Sequence, residues 1–409
     1  MSSKALVLTA AGAAVSGATV GWLLGRWRRR CHANMPAKLG MFSQRVLEDV
    51  IRTYDWTEQS SIKAAFQAVL DRLVKEFVNH IASFGLPEEF LERIRHMCVY
   101  NIRGGKYNRG MILVGNTRDL CAAQDMDLKT VIGPALILGW CIEILQSSFL
   151  VADDVMDGAL TRRGQPCWYK LPEVQLDAVN DALILESFVF WLIQEEFPAS
   201  THPEYFASFI NLFRDVTFKT EIGQVMDLLS QPQGCRGPEV LKRFTRDNLR
   251  LIVDYKTAYY SFYIPIACSM ILTGLNSEDQ LQAAEEISML LGRKFQAQDD
   301  FLDCYGDPKT IGKIGTDIQD HKCTWLLVEA LARATPEQRT ILEQNLGVND
   351  PQKIQKVKEV YSQIDIPAVF EKAETESYHL IKQRIKETSD SIPSVVFERA
   401  LALIHKRDK

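Results

Sequence analysis

The sequence predicts an all-α fold, arranged as one large helical bundle. Apolar residues recur at i, i+3, i+4 and i+7 from Met41 almost to the end of the chain, which is the period of amphipathic helices. No alternating strand pattern, repeat or internal linker interrupts these stretches. The clearest predicted helices are Ile62–Phe84, Thr130–Val151, Ala178–Glu196, Pro203–Leu229, Val240–Leu275, Ser277–Tyr305 and Lys322–Ala334.

Short clusters of turn-forming residues separate these helices. Gly104 and Gly105 follow the first of them, and Gly164-Gln165-Pro166 lies between the second and the third. The cluster at residues 231–234 ends the fourth helix, and the cluster at residues 306–308 ends the sixth. Breaks this short predict neighbouring helices that pack against one another within one domain.

Composition and charge limit the classes of function. The chain has 409 residues, of which 46% are hydrophobic and 24% charged, as in ordinary globular proteins. We expect one helical domain over residues 42–409 and an N-terminal extension over residues 1–41. The net charge is −5, although the first 47 residues hold seven Lys or Arg and no acid, so the body of the chain is more acidic still. An acidic body argues against nucleic acid as a partner.

The N-terminal extension has the features of a targeting or anchor segment. Ala5–Leu24 carries no charge, and four Arg residues follow between positions 26 and 30. The lack of acids, with Arg and Ser present, is typical of a mitochondrial presequence, and we predict that address. Two alternatives stay open: a membrane anchor with weak association through residues 5–24, and a cytoplasmic protein whose extension carries no address.

Two aspartate-rich motifs carry the strongest chemical signal. Asp153-Asp154-Val155-Met156-Asp157 closes an apolar helix, and Asp299-Asp300-Phe301-Leu302-Asp303 closes another. In each motif the first and last Asp are spaced i, i+4, so their carboxylates share one helical face. Paired carboxylates on a hydrophobic helix repel each other, and a divalent cation removes that repulsion. Hard oxygen ligands favour Mg²⁺, which commonly bridges protein carboxylates and substrate phosphates.

Basic residues recur beside these acidic motifs. Any one of them alone reads as a surface charge, but the set suits a ligand that carries several phosphate charges. The cations in question are Lys106, Arg109, Arg162, Arg163, Lys256, Lys313 and Lys322.

At these motifs the chain resembles a known family, the eukaryotic farnesyl diphosphate synthases among the trans-prenyl diphosphate synthases. The stretches that carry the resemblance are GGKYNRG (104–110), LVADDVMD with LTRRGQ (150–165), DYKTAYYSFY (254–263), FQAQDDFLD (295–303) and GKIGTDIQDHKC (312–323). They occur in family order and spacing, and the resemblance runs from about residue 42 to the C-terminus. It implies a helical bundle of the isoprenoid synthase type, a Mg²⁺-dependent prenyltransferase and a homodimer.

The resemblance also implies roles for individual residues. Mg²⁺ would be held by Asp153, Asp157, Asp299 and Asp303. An allylic diphosphate, dimethylallyl and then geranyl, would be held by Arg162, Lys256, Lys313 and Lys322. Isopentenyl diphosphate would be held by Lys106, Asn108, Arg109, Gln146 and Arg163. The allylic cation would be stabilised by Lys256, Thr257 and Gln296. Asp227 would support the metal site from behind, and Asp307–Asp320 would form a lid.

Two places depart from the family pattern. The growing tail should run along the helix from Asp153 towards its N-terminus, so that Ser148 and Phe149 form the floor of the chain-length pocket, where vertebrate-type members usually have two Phe. Ser148 either opens space or is backed by an opposing helix, and we predict farnesyl diphosphate with some geranylgeranyl diphosphate. At the C-terminus Asp408 interrupts the basic run, so a contact between the tail and the substrate is not expected.

Rival functions share part of this pattern. A terpene synthase that arose from the same scaffold would not need the isopentenyl diphosphate residues, which are all present. An inactive regulatory subunit would usually lose one aspartate motif, and both are intact. A geranyl or geranylgeranyl diphosphate synthase differs only in product length, and that alternative stays open.

Overall fold

The structure is a computed structural model and describes residues 41–231, 237–307 and 315–405. The predicted N-terminal extension, apart from residue 41, lies outside the described residues. So do Lys313, much of the predicted lid and residues 406–409. Over the described ranges the chain is helical almost throughout, which confirms the predicted all-α fold.

The helices are numbered in chain order. The first half contains α1 (Met41–Thr53), α2 (Gln59–Ala82), α3 (Glu88–Ile102), α4 (Asn108–Gln124), α5 (Ile132–Asp157), α6 (Ala178–Glu196) and α7 (Pro203–Ser230). The second half contains α8 (Pro238–Leu241), α9 (Arg246–Val253), a π-helical segment (Asp254–Tyr263), α10 (Ile264–Leu272), α11 (Glu278–Tyr305), α12 (Trp325–Arg333), α13 (Pro336–Asn345), α14 (Pro351–Ile364), α15 (Ile366–Glu387) and α16 (Val395–Ile404). Short 3₁₀ turns lie at Leu128–Thr130, Trp168–Lys170 and Gln175–Asp177. An antiparallel hairpin joins β1 (Thr161–Arg162) to β2 (Gln165–Pro166).

Helix α5 forms the centre of the bundle. Its residues are buried on all sides from Ile132 to Leu145, and it packs against α4, α6 and α10. Among the described residues it is also the one helix long and apolar enough to cross a membrane, but 78% of its apolar window is buried inside the protein. A helix that is apolar on every side is explained by a position in the core of a large domain. Gly158, with φ of 67°, ends the helix just after the first aspartate motif.

The predicted helix Val240–Leu275 is divided in the structure. Residues between α8 and α9 form a turn, and Thr245 caps α9 by accepting a hydrogen bond from the Asn248 backbone. From Arg246 the chain is helical to Leu272, but its middle is the π-helical segment. Wider π turns are rare and occur mostly at functional sites.

Two glycines allow neighbouring helices to approach the π-helical segment closely. A Cβ atom at Gly223 of α7 would overlap the backbone nitrogen of Lys256. A Cβ atom at Gly292 of α11 would overlap the Cβ of Ala258. The π-helical segment is therefore held between α7 and α11 at backbone contact distance.

The β1–β2 hairpin departs from an all-helical prediction. Its strands have two residues each, which is too short to produce an alternating pattern in the sequence. The predicted turn residues Gly164 to Pro166 fall in this hairpin, and Gly164 has φ of 79°. The hairpin lies directly after α5 and carries Arg162 and Gln165.

Candidate active site

The first aspartate motif has an inner and an outer side. Asp153 and Asp157 lie on the more open face of α5, whereas the middle residue Asp154 is only 4% exposed. Arg162 of β1 donates its Nε to Asp154 Oδ1 at 3.0 Å and lies 3.7 Å from Asp153. The prediction that Asp153 and Asp157 share one face of the helix is consistent with this geometry. The middle carboxylate, Asp154, holds Arg162 of the hairpin.

Two lysines meet the outer carboxylates. Lys256 Nζ lies 2.6 Å from Asp227 Oδ2 and 3.4 Å from Asp153 Oδ1. Lys322 Nζ lies 2.7 Å from Asp157 Oδ2 and 3.4 Å from Asp227. Asp227 of α7, 5% exposed, therefore joins both lysines to the first motif.

The pKa shifts of Lys256, Lys322 and Asp227 all favour the ionised form. Burial lowers the pKa of Lys256, but Asp153 and Asp227 outweigh it, and the net shift is upward. Burial likewise lowers the pKa of Lys322, which Asp227 and Asp157 reverse. Burial raises the pKa of Asp227, and the two lysines bring it below its usual range. The site thus presents compact, fixed charges of both signs before any ligand binds.

The second motif is divided in the same way. Asp299 and Asp303 are partly exposed, whereas Asp300 is 4% exposed. Asp300 accepts hydrogen bonds from Gln296 Nε2 at 2.9 Å and from the Trp325 backbone nitrogen at 2.7 Å. Burial raises the pKa of Asp300, and these hydrogen bonds only partly offset the shift.

A chain of hydrogen bonds leads from Asp300 to the π-helical segment. Because Gln296 donates its Nε2 to Asp300, its Oε1 points the other way and accepts from Thr257 Oγ1 at 3.1 Å. The hydroxyl hydrogen of Thr257 therefore points at Gln296. The lone pairs of the Thr257 oxygen are left for other partners, such as the cation that this residue was predicted to stabilise. The structure places these two predicted catalytic residues in direct contact.

The segment before α12 and the first residue of α12 contact both motifs. Lys322 pairs with Asp157 of the first motif, and Trp325 donates its backbone N–H to Asp300 of the second. Burial raises the pKa of Asp320, and both Asp157 and Asp303 add to that rise. One short stretch of chain is therefore in electrostatic range of both motifs.

The predicted isopentenyl diphosphate residues lie around the start of α4. Arg109 donates to Ser261 Oγ at 2.8 Å and to Tyr260 Oη at 3.1 Å, with its guanidinium over the Tyr260 ring. Arg163 donates its Nη1 to the last carbonyls of α3, the shortest bond being 2.7 Å to Asn101. Lys106 is exposed. Asn108 and Gln146 are half-buried, on α4 and α5 respectively.

The two chain-length residues lie on different sides of α5. Phe149 shares the half-buried face of Gln146 and Asp153, and its ring meets Tyr260 edge-on at 5.6 Å. Ser148, one position earlier, is 5% exposed and belongs to the buried side of the helix. Phe149 is thus the member of the pair that reaches the face of the aspartate motif.

The outer carboxylates suit the predicted Mg²⁺. All are hard oxygen donors, and the middle carboxylates already have protein partners. Within the described ranges no three carboxylate, histidine or cysteine side chains are grouped closely enough to hold a metal by themselves. This pattern fits an ion that takes its other ligands from water and substrate phosphates, as Mg²⁺ usually does.

Comparisons with known proteins give the family. A family model described as polyprenyl synthetase matches residues 91–364. The farnesyl pyrophosphate synthase of Rattus norvegicus is 44% identical over 327 residues, covering 80% of this chain and 91% of the relative. That of Homo sapiens is 43% identical over 349 residues, covering 82% and 81%. The chain belongs to the polyprenyl synthetase family.

Solved structures agree with that assignment. A T. brucei farnesyl diphosphate synthase complexed with bisphosphonate has a TM-score of 0.79 and 31% identity, covering 85% of this chain and all of the other. As a member of the polyprenyl synthetase family, the chain is a prenyltransferase with the isoprenoid synthase helical fold. Both predictions are confirmed.

Several residues of the site were missed at the sequence level. Gln224 of α7 donates to Asp153 Oδ1 at 3.0 Å, and Glu143 of α5 accepts from the start of α4. Tyr260 and Ser261 hold Arg109. A lone acid in an apolar helix, such as Glu143, was the signal available, because such a group needs a buried partner.

Proposed function

We propose that the chain is a farnesyl diphosphate synthase, which condenses isopentenyl diphosphate with dimethylallyl diphosphate and then with geranyl diphosphate. One observation carries the proposal: the basic side chains fall into two groups, with Lys256 and Lys322 paired to the first aspartate motif and Arg109 held at the start of α4. A separate cationic group at the start of α4 provides for a second diphosphate. Two diphosphate sites are what a condensation requires, and a cyclisation would need one.

Ionisation of the allylic substrate is the first step. The allylic C–O bond breaks, the electron pair leaves with pyrophosphate, and an allylic cation remains. Arg162, Lys256 and Lys322 would hold the diphosphate as its charge grows. Mg²⁺, held by Asp153, Asp157, Asp299 and Asp303, would supply charge neutralisation at the leaving group. Lys313, outside the described residues, would add a further cation by family resemblance.

The cation is then stabilised by fixed oxygen dipoles. The Thr257 hydroxyl donates its proton to Gln296, which leaves its lone pairs for the cation. The Gln296 oxygen is turned to the same side because Asp300 holds the amide nitrogen. By family resemblance, the backbone carbonyl of Lys256 would act alongside them.

Isopentenyl diphosphate would bind through Lys106, Asn108, Arg109, Gln146 and Arg163. Its double bond attacks the allylic cation, a new C–C bond forms, and a proton leaves the resulting tertiary cation. By family resemblance, the pyrophosphate released in the first step would accept that proton. No histidine or protein carboxylate is assigned to this role.

The decisive experiment is a condensation assay on the full chain. Isopentenyl diphosphate and Mg²⁺ are supplied with dimethylallyl or geranyl diphosphate, and Asp153→Asn serves as the inactive control. We expect farnesyl diphosphate as the main product from either allylic substrate. A cyclic or eliminated hydrocarbon formed without isopentenyl diphosphate would instead establish a terpene synthase.

Product length is the finer part of the proposal. We expect some geranylgeranyl diphosphate beside farnesyl diphosphate, since Ser148 stands where a second Phe is usual. Phe149 lies on the face of the aspartate motif, so Phe149→Ala should shift the products to longer chains more than Ser148→Phe shortens them. Chromatography of the products tests this, and an unchanged distribution in both variants would exclude this part of α5 as the floor.

The homodimer is also proposed here. Large apolar side chains are exposed on the outer faces of α6 and α7, and exposed apolar patches commonly mark interaction surfaces. They are Val179, Leu183, Phe218, Val225 and Leu229, between 49% and 66% exposed.

The proposed address is the mitochondrion, by way of residues 1–41. Its support is the composition of the extension, which is basic and lacks acids. Imaging of the full chain and of a chain that begins at residue 42 would test it. Loss of mitochondrial staining on truncation is expected, whereas a diffuse or membrane signal from the full chain would favour the cytoplasmic or anchored alternative.

A further inference from the structure

Helix α4 begins without a cap of its own. Its N-cap residue is Tyr107, in the left-handed region with φ of 59°, and no side-chain hydrogen bond caps the helix from that position. The first backbone N–H groups of a helix have no partner within the helix and need one elsewhere. The first turn of α4 carries Asn108 and Arg109, so the partner of these N–H groups also fixes the position of both residues.

Glu143 of α5 supplies the missing partner. The carboxylate accepts a hydrogen bond from the Gly110 backbone nitrogen at 2.9 Å, and the Arg109 backbone also bonds to it. Glu143 is 2% exposed, and burial raises its pKa, which Arg109 and the backbone hydrogen bonds offset in part. A buried carboxylate in this position is costly unless its hydrogen bonds are kept.

Close backbone packing reinforces this attachment. A Cβ at Gly110 would overlap the Phe66 ring and lie 3.1 Å from the Gly139 carbonyl oxygen. A Cβ at Gly139 would lie 2.8 Å from the same ring. The start of α4 therefore packs closely against α5 one turn before Glu143. A shift of α4 relative to α5 would break the hydrogen bonds to the Glu143 carboxylate.

The side chain of Arg109 is held independently. Ser261 and Tyr260 of the π-helical segment fix its guanidinium, while Glu143 fixes its backbone. Arg109 is thus anchored at both ends, by two different elements. Anchoring of this kind reduces the conformational entropy lost when a charged ligand binds.

We propose that Glu143 is a positioning residue for isopentenyl diphosphate, because its cap on α4 orients Asn108 and Arg109 towards that substrate. The inference rests on the proposed condensation function. It predicts that loss of the cap weakens isopentenyl diphosphate selectively, since no residue assigned to the allylic diphosphate or its Mg²⁺ lies on α4.

The chain contains a matched control for this cap. Glu196, at the end of α6, is also fully buried and accepts from the Ser43 backbone nitrogen at 2.7 Å in the first turn of α1. It contacts no residue assigned to the site. Variants at Glu196 therefore measure what losing a buried cap does to the fold alone.

The test compares Glu143→Leu, Glu143→Gln, Glu196→Leu and Glu196→Gln in the full chain. Leu fills most of the space and accepts no hydrogen bond, whereas Gln keeps an acceptor oxygen. We expect Glu143→Leu to raise KM for isopentenyl diphosphate about tenfold, with KM for geranyl diphosphate within about twofold of the wild type. Glu143→Gln should restore KM to within about threefold. Both Glu196 variants should leave both KM values near wild type.

Hydrogen exchange gives a readout that does not depend on turnover. The peptide of residues 106–112 should exchange faster in Glu143→Leu and near the wild-type rate in Glu143→Gln. Equal changes in the two KM values, or no change in either, would overturn the positioning role. If Glu143→Gln does not restore KM, the negative charge of Glu143 and not its hydrogen-bond cap determines binding, which would also overturn the proposal. Absence of condensation by the wild-type chain would instead refute the proposed function.

Discussion

At the scale of single residues, the middle aspartate of each motif has a different task from its neighbours. Asp154 and Asp300 are buried, and each already has hydrogen-bond donors from the protein. Burying an ionisable group without partners is costly, so these two positions are committed to structure. The outer aspartates keep their carboxylates on the open faces of α5 and α11.

Replacing Asp300 tests this division of tasks. Asp300→Asn keeps the shape, but its single oxygen cannot accept from both Gln296 and the Trp325 backbone nitrogen as the carboxylate does. We expect kcat to fall by about 10- to 100-fold while both KM values stay near wild type, because Gln296 and Thr257 are the residues proposed to stabilise the allylic cation. Steady-state kinetics with each substrate varied in turn measure this.

Thr257→Ser supplies the control for the same hydrogen-bond chain. Its hydroxyl can still donate to Gln296 Oε1, so kcat should stay within about threefold of the wild-type value. A wild-type kcat in Asp300→Asn would contradict the proposed orientation of Gln296.

At the scale of elements, the π-helical segment depends on the two glycines that face it. The residue opposite Gly223 is Lys256, whose side chain pairs with Asp227 of the same helix as the glycine. Any displacement of the segment from α7 therefore moves this ion pair as well. The position of Lys256 in the site therefore depends on the absence of a side chain at Gly223.

Gly223→Ala should consequently damage activity more than stability. Overpacking of this kind costs about 1–3 kcal/mol of unfolding free energy, and the displaced Lys256 should lower kcat/KM by at least about tenfold. Gly133→Ala is the control, because a Cβ there would lie 2.6 Å from Ser43 Oγ, in a region without site residues. Urea unfolding and kinetics of both variants would test this, and equal losses of activity would contradict it.

The attachment of α1 should depend on pH. Ser43 donates its backbone N–H and its hydroxyl to Glu196, and burial raises the pKa of this carboxyl from 4.5 to about 7. The folded state thus keeps the proton at pH values where the unfolded state has released it. The stability that this group contributes is present below about pH 4.5 and is lost as pH rises to about 7.

Glu196→Gln removes this dependence because it does not titrate. Relative to the wild type, its free energy of unfolding should improve by up to roughly 3 kcal/mol between about pH 5 and about pH 8. Urea unfolding at the two pH values measures the difference. The same difference at both pH values would show that the carboxyl titrates normally.

At the scale of the whole molecule, sequence periodicity predicted the bundle and most of its helices. Ala178–Glu196 was predicted with the bounds that α6 has, because its apolar pattern is continuous and turn residues flank it. The π-helical segment was not predicted, since a wider turn changes the apolar period too little to be seen over ten residues. The interruption before α9 was also missed, because it contains no Gly or Pro.

The site could be predicted where spacing along one helix determines geometry. The i, i+4 pairs of both aspartate motifs are such a case, and the burial of Asp154 and Asp300 agrees with it. Contacts between distant segments were beyond reach, including the Lys322–Asp157 pair and the cap from Glu143 to α4. These contacts depend on how helices cross, which a single sequence does not specify.

The outer faces of α6 and α7 are the proposed interface with a second copy of the chain. Arg214 of α7 lies 3.8 Å from Glu186 and over the ring of Phe190, so the two helices are aligned side by side. Phe218 and Leu229 are 62% and 66% exposed on this surface. A two-fold axis through such a face would bury the same side chains of both copies.

Phe218→Glu combined with Leu229→Glu should therefore convert the dimer to a monomer. Charged side chains at the centre of an apolar interface lose their hydration without gaining partners, so association weakens by several orders of magnitude. Sedimentation velocity would report the change in mass. Phe90→Glu, at a residue of α3 that is 53% exposed, is the matched control and should remain dimeric. A wild-type chain that sediments as a monomer, or a double variant that stays dimeric, would rule out this face as the interface.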